Sequence, residues 1–323
     1  MNYQIIILIA SFFIGLIVSL ITIPILKKIN VGQIEREDGP KSHLKKQGTT
    51  TMGGLIMSIT LMIMYVIIFF ALKNREWDVV IKLLPLALVS LGFGVIGRID
   101  DSKKLSQKNT EGLKPAFKML GLLIISVTYA VYLCKAIGTQ TYLPILKQYI
   151  EFPLWLYIPF VIFVMLGTTN AINLTDGIDG LDASVTTIII ATLTVIGIKL
   201  GYKEVVILGS IICGANIAFL IFNMHPAKIF MGDTGSLFLG GVIVAMALYL
   251  KMPLLLIVIA LIPVIETLSV IIQVIYYKKT GKRIFKMAPI HHHFELSGWN
   301  ENKIVVVFSL ITLVLCILGL VII

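Results

Sequence analysis

Residues 3–26 read YQIIILIASFFIGLIVSLITIPIL, and this stretch decides the class of fold. None of its side chains is charged, and about 20 apolar residues are enough for a helix to cross the hydrocarbon core of a bilayer. No basic residue precedes the stretch, and no small-residue cleavage site follows it. We therefore expect a retained first transmembrane helix and not a secretory signal peptide.

The same apolar character extends along the whole chain. Of its 323 residues, 58% are hydrophobic and 14% are charged, and the mean hydropathy is +0.97. Such a chain cannot bury its apolar surface in a water-soluble core. Because no repeat, low-complexity segment or linker is visible, we predict a single domain over residues 1–323, an all-α polytopic membrane protein. Its ten predicted transmembrane helices are 3–26, 52–72, 79–97, 119–134, 153–168, 183–198, 205–222, 236–250, 252–276 and 304–323.

The distribution of basic residues predicts the orientation. Ten spans put both termini on one side and the five odd-numbered connections on the other. These connections hold nineteen of the twenty-seven Lys and Arg and twelve of the seventeen Asp and Glu. The positive-inside rule places them in the cytoplasm and both termini outside it. Topology thus explains the net charge of +10, and no nucleic-acid partner is predicted. The connections are 27–51, 98–118, 169–182, 223–235 and 277–303.

Aspartates stand where several of the apolar runs end. A carboxylate is costly beside lipid, so a cluster of them at helix ends indicates a shared charged site. Carboxylate oxygens suit a hard cation such as Mg²⁺, which also binds phosphate oxygens. We therefore predict an active site on the cytoplasmic face, where the six aspartates are Asp100, Asp101, Asp176, Asp179, Asp182 and Asp233.

Asp100, Asp101 and Asp233 each allow two interpretations. Neighbouring residues of a helix point about 100° apart, so Asp100 and Asp101 cannot both address one ligand. Either one binds or deprotonates the ligand while the other orients it, or Arg98 and nearby lysines neutralise the pair. Asp233 lies between glycines at a helix start. There it is either an N-cap or a Mg²⁺ ligand that leaves other positions to water and phosphate.

In the third connection, polar residues recur at every third position of NAINLTDGIDGLD. On an ideal helix, five such positions would sweep about 240°. They can face one pocket only if the helix is broken or tightened, and Gly177 and Gly180 are the expected places. Because the connection has no Lys or Arg, its carboxylates need a metal, hydrogen bonds or basic residues from elsewhere. Asp182 is expected only to cap the next helix. The five positions are Asn170, Asn173, Asp176, Asp179 and Asp182.

The first and fifth connections add basic and hydroxyl groups. Residues 36–54 carry Lys46 among glycines and threonines, which suits either a phosphate-facing loop or a plain solvated one. The histidines at 291–293 alternate sides in an extended segment and cannot all bind one ion. We interpret them mainly as donors to phosphate, with zinc binding as the alternative. Glu266, the only acid inside a predicted span, is either functional or a structural hydrogen-bond partner.

Seven segments in this order resemble one protein family along nearly the full chain. The aspartate motifs resemble the polyprenyl-phosphate N-acetylhexosamine-1-phosphate transferase superfamily. The first loop and the histidine segment resemble its phospho-N-acetylmuramoyl-pentapeptide transferase branch in particular. The segments are GPKSHLKKQGTTTMGG (39–54), GRIDDSKK (97–104), KNTEGLKPAFK (108–118), NAINLTDGIDGL (170–181), FNMHPAKIFMGDTGSLFLGG (222–241), PVIETLSV (263–270) and MAPIHHHFEL (287–296).

The resemblance implies a Mg²⁺-dependent transferase of the bacterial plasma membrane, with ten helices, external termini and a homodimeric assembly. The implied reaction moves phospho-MurNAc-pentapeptide from UDP-MurNAc-pentapeptide to undecaprenyl phosphate and gives lipid I and UMP. A transferase of the same superfamily that uses UDP-GlcNAc is the nearest alternative. A transporter is a remote one, since its ionisable residues should lie near the midplane between repeated halves.

Residue by residue, the resemblance implies that Asp100, Asp101 and Asp233 are catalytic, with Asp233 the Mg²⁺ ligand. Position 98 departs from the family, because Arg stands where an apolar residue is usual. Arg98 paired with Asp100 or Asp101 would lower the basicity of that carboxylate. The implied nucleotide and substrate contacts are Lys46, Lys104, Lys118, Asn170, Asn173, Asp176, Gly177, Asp179, Asn223, Phe230, His291, His292 and His293.

Overall fold

The computed structural model describes residues 2–29, 32, 46, 48–107 and 112–323. Of the predicted phosphate-facing segment 36–54, residues 36–45 and 47 lie outside the described residues. Ten of the described helices are long and apolar enough to cross a bilayer, which confirms the predicted fold class. Only α9 and α11 are short. The helices are α1 (Asn2–Lys28), α2 (Gly54–Leu72), α3 (Trp77–Gln107), α4 (Pro115–Ala136), α5 (Leu154–Thr175), α6 (Leu181–Leu200), α7 (Lys203–Asn223), α8 (Gly232–Tyr249), α9 (Leu256–Ile259), α10 (Leu261–Thr280), α11 (Ile290–Glu295) and α12 (Glu301–Ile322).

Two helices, α3 and α5, continue at least seven residues past their predicted ends, and this changes where the polar residues lie. Helix α3 has 31 residues, which at 1.5 Å per residue gives about 46 Å, against a hydrocarbon core of roughly 30 Å. Its last turns carry Asp100 and Asp101 on a rigid helix, not on a loop. Helix α5 likewise continues to Thr175 and carries Asn170 and Asn173. Several predicted site residues are therefore fixed by helices.

The predicted ninth span, 252–276, is interrupted at Ala260, between α9 and α10. Pro263 explains the break, because a proline has no N–H to donate to the carbonyl four residues earlier and its ring crowds that carbonyl. The carbonyl concerned belongs to Ile259. The thiol of Cys316 in α12 lies 3.8 Å from this oxygen and donates to it. The break thus gives a buried cysteine a packing role, and all three cysteines are unpaired.

Helix α8 lies at the centre of the bundle, packed against α2, α3, α5 and α6, and nearly all of it is buried. Two glycines allow α2 and α3 to approach the first turn of α8 closely. A β-carbon on Gly97 of α3 would overlap the backbone carbonyl of Asp233, and one on Gly54 of α2 would overlap the backbone of Gly235. Small residues at such contacts let helices pack tightly in lipid. The start of α8 is therefore clamped between α2 and α3.

The two ends of the bundle differ in character. Helices α3 and α5 end, and α4 and α8 begin, at the end that carries Asp100, Asp101 and Asp233, which we call the acidic end. Because α4 leaves this end and α5 returns to it, the segment between them lies at the opposite end. That segment forms an antiparallel hairpin of β1 (Gln140–Leu143) and β2 (Gln148–Glu151).

Candidate active site

Three carboxylates converge at the acidic end. Asp100, Asp101 and Asp233 each offer one oxygen, and these oxygens lie within 4.8 Å of one another. The first two come from the last turns of α3, and the third comes from the first turn of α8. An all-oxygen donor set at this spacing fits Mg²⁺, which binds to one or two protein carboxylates and keeps positions for water and phosphate.

Asp101 connects α3 to the start of α8. Its Oδ2 accepts hydrogen bonds from the backbone N–H of Thr234 at 2.9 Å and from the Thr234 hydroxyl at 2.6 Å. Its Oδ1 accepts from the backbone N–H of Asp233 at 3.2 Å. The first N–H groups of a helix have no intrahelical partner, so a carboxylate there satisfies them and complements the helix dipole. Asp101 caps α8, and the alternative in which Asp233 is the N-cap is wrong.

Two lysines balance the remaining carboxylates. The Lys104 Nζ lies 2.7 Å from Asp100 Oδ2 and 2.8 Å from Asp233 Oδ2. The Lys118 Nζ, from α4, lies 2.7 Å from the same Asp233 oxygen. Asp100 Oδ1 accepts from the backbone N–H of Leu113 at 2.8 Å. Both lysines thus stand at the carboxylate cluster, where an ammonium can also pair with a phosphate.

The two asparagines of α5 have different surroundings. The Asn173 Nδ2 donates to Asp233 Oδ1 and to the Ser236 hydroxyl, both at 2.8 Å. The Asn170 Nδ2 instead donates to the Leu166 carbonyl of its own helix at 2.7 Å. Asn173 therefore belongs to the carboxylate cluster, whereas Asn170 is turned back along α5.

The segment between α5 and α6 breaks as the glycine pattern predicts. Helix α5 stops at Thr175, and Gly180 precedes α6 with a φ of +78°, a conformation that glycine adopts without strain. In this break Asp176 accepts a hydrogen bond from the backbone N–H of Gly232. Burial, followed by the negative charge of Asp233 and other nearby aspartates, raises the pKa of Asp176 to about 8. Asp176 thus lies in a desolvated position close to the carboxylate cluster.

A second cluster lies beside the first. The Lys46 Nζ is 2.7 Å from Asp179 Oδ1 and 2.6 Å from Glu301 Oε2. The His225 Nδ1 is 2.9 Å from Asp179 Oδ2. Asp179, His225 and Glu301 are close enough together to hold a metal ion, but the Lys46 ammonium already supplies the cation between the two carboxylates. We call Lys46, Asp179, His225 and Glu301 the lysine cluster.

Sequence reasoning missed two members of the lysine cluster, His225 and Glu301. His225 lies in the fourth connection, next to a proline, and offered no spacing that separates it from a loop residue. Glu301 stands directly after the helix-capping residue Asn300 at the start of the last apolar run. An acid at the end of an apolar run indicates a charged site, as for the aspartates, and Glu301 shows the same pattern.

Asn223 is the last residue of α7, and Phe230 lies on the loop between α7 and α8. The Asn223 Nδ2 donates to the Ile229 carbonyl at 2.9 Å, and its Oδ1 accepts from the backbone N–H of Gly180 at 3.2 Å. Asn223 is buried and joins the α5–α6 break to this loop. The backbone N–H of Phe230 donates to the Thr50 carbonyl at 2.7 Å. The Phe230 ring is partly exposed and is held beside the first connection.

His291 is fully buried against α10 and the α5–α6 break. Its Nδ1 lies 3.1 Å from Glu266 Oε2, and neither side chain is exposed. On its other side, a β-carbon on Gly177 would overlap the His291 ring. Glu266 is therefore a structural partner, which is one of its two predicted roles, and Gly177 is required for the ring to pack.

His292 and His293 have other partners. The His292 Nδ1 lies 2.6 Å from Glu295 Oε2, and the His293 Nδ1 accepts from the backbone N–H of Lys286 at 3.1 Å. The three histidines lie on the short helix α11, whereas an extended segment was expected. They face three separate groups, so their arrangement does not favour the zinc alternative.

Two expectations about charged residues are wrong. Asp182 does not cap α6, because Gly180 stands at the cap position and the Asp182 oxygens are buried with no hydrogen-bond partner among the described residues. Arg98 is exposed and, within the described ranges, forms no ion pair with Asp100 or Asp101. Lysines neutralise Asp100, and Asp101 is directed at α8.

These features define a class: a polytopic membrane protein whose carboxylates and lysines meet at one end of a helical bundle. The sequence model described as "Glycosyl transferase family 4" matches residues 83–251, a range that holds all three clustered carboxylates. Three relatives carry the name phospho-N-acetylmuramoyl-pentapeptide-transferase. One from Acetivibrio thermocellus is 47% identical over 96% of this chain and 92% of its own. One from Clostridium perfringens strain 13 is 49% identical over 97% and 96%, and one from Clostridium botulinum strain Eklund 17B is 47% identical over 97% and 94%.

The chain therefore belongs to the phospho-N-acetylmuramoyl-pentapeptide-transferase family. It is a multi-pass protein of the bacterial membrane, as its ten apolar helices and its relatives indicate.

Proposed function

We propose that this chain transfers phospho-MurNAc-pentapeptide from UDP-MurNAc-pentapeptide to undecaprenyl phosphate, forming lipid I and UMP. The observation that carries the proposal is the meeting of Asp100, Asp101 and Asp233 with Lys104 and Lys118. Phosphoryl transfer depends mainly on positioning and charge stabilisation, which such a mixture of acids and cations provides. The shared name of the relatives supports the sugar-peptide substrate over UDP-GlcNAc. Placement of the charged cluster at one end of the bundle disfavours a transporter.

In the proposed reaction, an oxygen of the lipid phosphate attacks the phosphorus that bears the sugar. The bond from this phosphorus to the oxygen of UMP breaks, and UMP leaves. Bound Mg²⁺, held by Asp233 and Asp100, would supply neutralisation of the pyrophosphate charge. Lys104 and Lys118 then bind phosphate oxygens, and Asp100 orients the lipid phosphate or takes its proton. The oxygens and ammonium groups that face the cluster support these roles.

Asp101 acts in this proposal through α8. Both of its oxygens accept hydrogen bonds from Asp233 and Thr234, and the residue is 4% exposed. These contacts support a positioning role and disfavour Asp101 as a covalent nucleophile, since an attacking oxygen needs an open approach. Trapping of a phospho-sugar on any aspartate during a single turnover would overturn direct attack by the lipid.

The UDP half of the substrate is proposed to bind beside the carboxylates. The segments around Asp233 carry the groups proposed to bind the UDP half. These are Lys46 and Asp179 of the lysine cluster, the partly exposed Phe230 and the loop whose Ile229 carbonyl accepts from Asn223. The acidic end then faces the cytoplasm, where nucleotide sugars occur, with both termini outside. The distribution of Lys and Arg supports this orientation. Assembly as a homodimer remains a prediction. The assignment of Asn170 and the three histidines as substrate contacts also remains a prediction.

The proposed function predicts Mg²⁺-dependent release of UMP. With undecaprenyl phosphate as acceptor, we expect kcat/KM for UDP-MurNAc-pentapeptide to be at least about 100-fold higher than for UDP-GlcNAc. UDP-GlcNAc lacks the peptide, so site residues that would pair with it are left unpaired. Chelation by EDTA is expected to stop the reaction, and added Mg²⁺ to restore it. Coupled measurement of UMP and of the lipid product checks this. Equal use of UDP-GlcNAc would contradict the substrate, and full activity in EDTA would contradict the metal.

Arg98→Leu, which introduces an apolar side chain, is expected to leave kcat within about twofold of wild type, because Arg98 is exposed and substitutions at the surface have small effects. The pH dependence of kcat is also expected to be unchanged, since Arg98 pairs with neither Asp100 nor Asp101. Rates of UMP release measured across the pH range check both. A clear shift of the pH profile would show that Arg98 does act on the carboxylates.

A further inference from the structure

Glu301, at the first position of α12, has contacts that no role described so far uses. Its Oε2 accepts a hydrogen bond from the Lys46 Nζ at 2.6 Å and from the backbone N–H of Asp179 at 3.1 Å. The side chain of Asn300 holds the start of α12 by accepting from the backbone N–H of Lys303 at 2.8 Å. Because this cap fixes the first turn, the Glu301 carboxylate is presented from a rigid position.

Asp179, the second acid of the lysine cluster, is fully engaged. Its Oδ1 accepts from the Lys46 Nζ at 2.7 Å. Its Oδ2 accepts from the backbone N–H of Ala227 at 3.1 Å and lies 2.9 Å from the His225 Nδ1. Without Glu301, the buried backbone N–H of Asp179 would lose the carboxylate that accepts its hydrogen bond. The Lys46 ammonium would keep one carboxylate partner instead of two. Loss of a partner at a buried donor is costly, and more so for a charged one.

The charges of the cluster indicate which part of a nucleotide it suits. Among the described residues, two carboxylates, Asp179 and Glu301, face one ammonium, that of Lys46, and His225 adjoins Asp179. Carboxylates in excess of permanent cations repel an anionic phosphate, so the described part of the cluster suits the uncharged base and ribose. Asp179 lies three residues after Asp176, which accepts from the backbone of Gly232 beside the catalytic carboxylates. The cluster is thus adjacent to the site proposed for the phosphates.

We infer that Glu301 is a positioning residue for the nucleoside part of the UDP-sugar substrate, acting through Lys46 and Asp179. This inference rests on the proposed function and deepens it. Glu301 ties the last transmembrane helix to the first connection and to the α5–α6 break, and so fixes the two side chains that contact the nucleoside. The lipid phosphate binds at the carboxylates and does not depend on Glu301.

The test separates the two substrates. Glu301→Ala is expected to raise the KM for UDP-MurNAc-pentapeptide about tenfold, as expected for loss of a buried charge-assisted hydrogen bond. The KM for undecaprenyl phosphate is expected to stay within about twofold of wild type, since no contact to that site is lost. Glu301→Gln keeps one oxygen acceptor and is expected to recover part of the loss. If the alanine variant fails to fold, the glutamine variant provides the test in its place.

Glu204→Gln is the matched control. Glu204 is also a buried carboxylate, accepting from the Tyr249 hydroxyl at 2.7 Å, but it lies on the first turn of α7, away from the acidic end. It is expected to lower thermal stability without changing either KM. The inference is overturned if Glu301→Ala and Glu301→Gln keep the wild-type nucleotide KM, or if both KM values rise together. If wild-type protein shows no transfer with either UDP-sugar, the proposed function itself fails, which is a separate outcome.

Discussion

Asp233→Asn is expected to lower the rate of UMP release about 10³-fold, comparable to the loss of a main electrostatic contact in an active site. Asp233 is where Lys104, Lys118 and Asn173 meet. A neutral amide is a poor ligand for Mg²⁺ and leaves two ammonium groups without their shared carboxylate. The change should therefore remove charge stabilisation while the helices that bind substrate stay in place. Initial rates at saturating concentrations of both substrates measure the effect.

Asp78→Asn provides the control for this substitution. Asp78 is an exposed carboxylate in the first turn of α3, at the end of the helix opposite Asp100. Its loss is expected to leave the rate unchanged. Thermal unfolding of both variants establishes that Asp233→Asn folds. If Asp233→Asn kept more than about a tenth of the wild-type rate, the role of Asp233 at the centre of the reaction would be wrong.

Gly97→Ala is expected to disrupt the same site without touching a charged group. The added β-carbon would overlap the backbone carbonyl of Asp233, which cannot move aside as a flexible side chain can. Helix α8 must then shift away from α3, and displacements of about 1 Å commonly cost 100-fold in rate. Overpacking of this kind also destabilises by about 1–3 kcal/mol. We expect lower thermal stability together with a loss of activity near 100-fold, measured on purified protein in detergent.

Gly92→Ala separates overpacking from a general effect of alanine. Gly92 lies on the same helix, where the nearest atom to an added β-carbon is the Ile125 Cδ1 at 3.3 Å, the end of a flexible side chain. Both changes raise helix propensity by about 1 kcal/mol, so that contribution cancels in the comparison. Gly92→Ala is expected to keep wild-type activity. Equal behaviour of the two variants would contradict the proposed clamp on the start of α8.

The membrane spans could be predicted because each is a local signal. About 20 apolar residues in a row identify a span without knowledge of its neighbours. The ends of the spans could not be predicted in this way. Helix α3 continues for ten residues past Gly97 through a polar sequence, where an apolar run has already stopped. The break at Ala260 was missed because the run continues on both sides of it, although Pro263 was a local reason to expect one.

The residue types of the site could be predicted, but their partners could not. Helix geometry predicts different tasks for Asp100 and Asp101, and their hydrogen-bond partners differ, although one oxygen of each lies within 4.8 Å of the other. That Asp101 caps α8 depends on a tertiary contact between distant segments. Glu301 contacts Lys46 from the far end of the chain, 255 positions away. No spacing rule within one segment reports such pairs, so Glu301 remained unassigned until the fold was known.

Carboxylates of α3 and α8 are proposed to form one cation site that serves phosphoryl transfer. Binding of Mn²⁺, a spectroscopic substitute for Mg²⁺, can be measured by electron paramagnetic resonance in the absence of turnover. Wild-type protein and Asp78→Asn are expected to bind Mn²⁺ with equal affinity. Asp233→Asn is expected to bind it at least about tenfold more weakly, since one carboxylate ligand is lost. Equal Mn²⁺ affinity of Asp233→Asn and wild type would contradict the account.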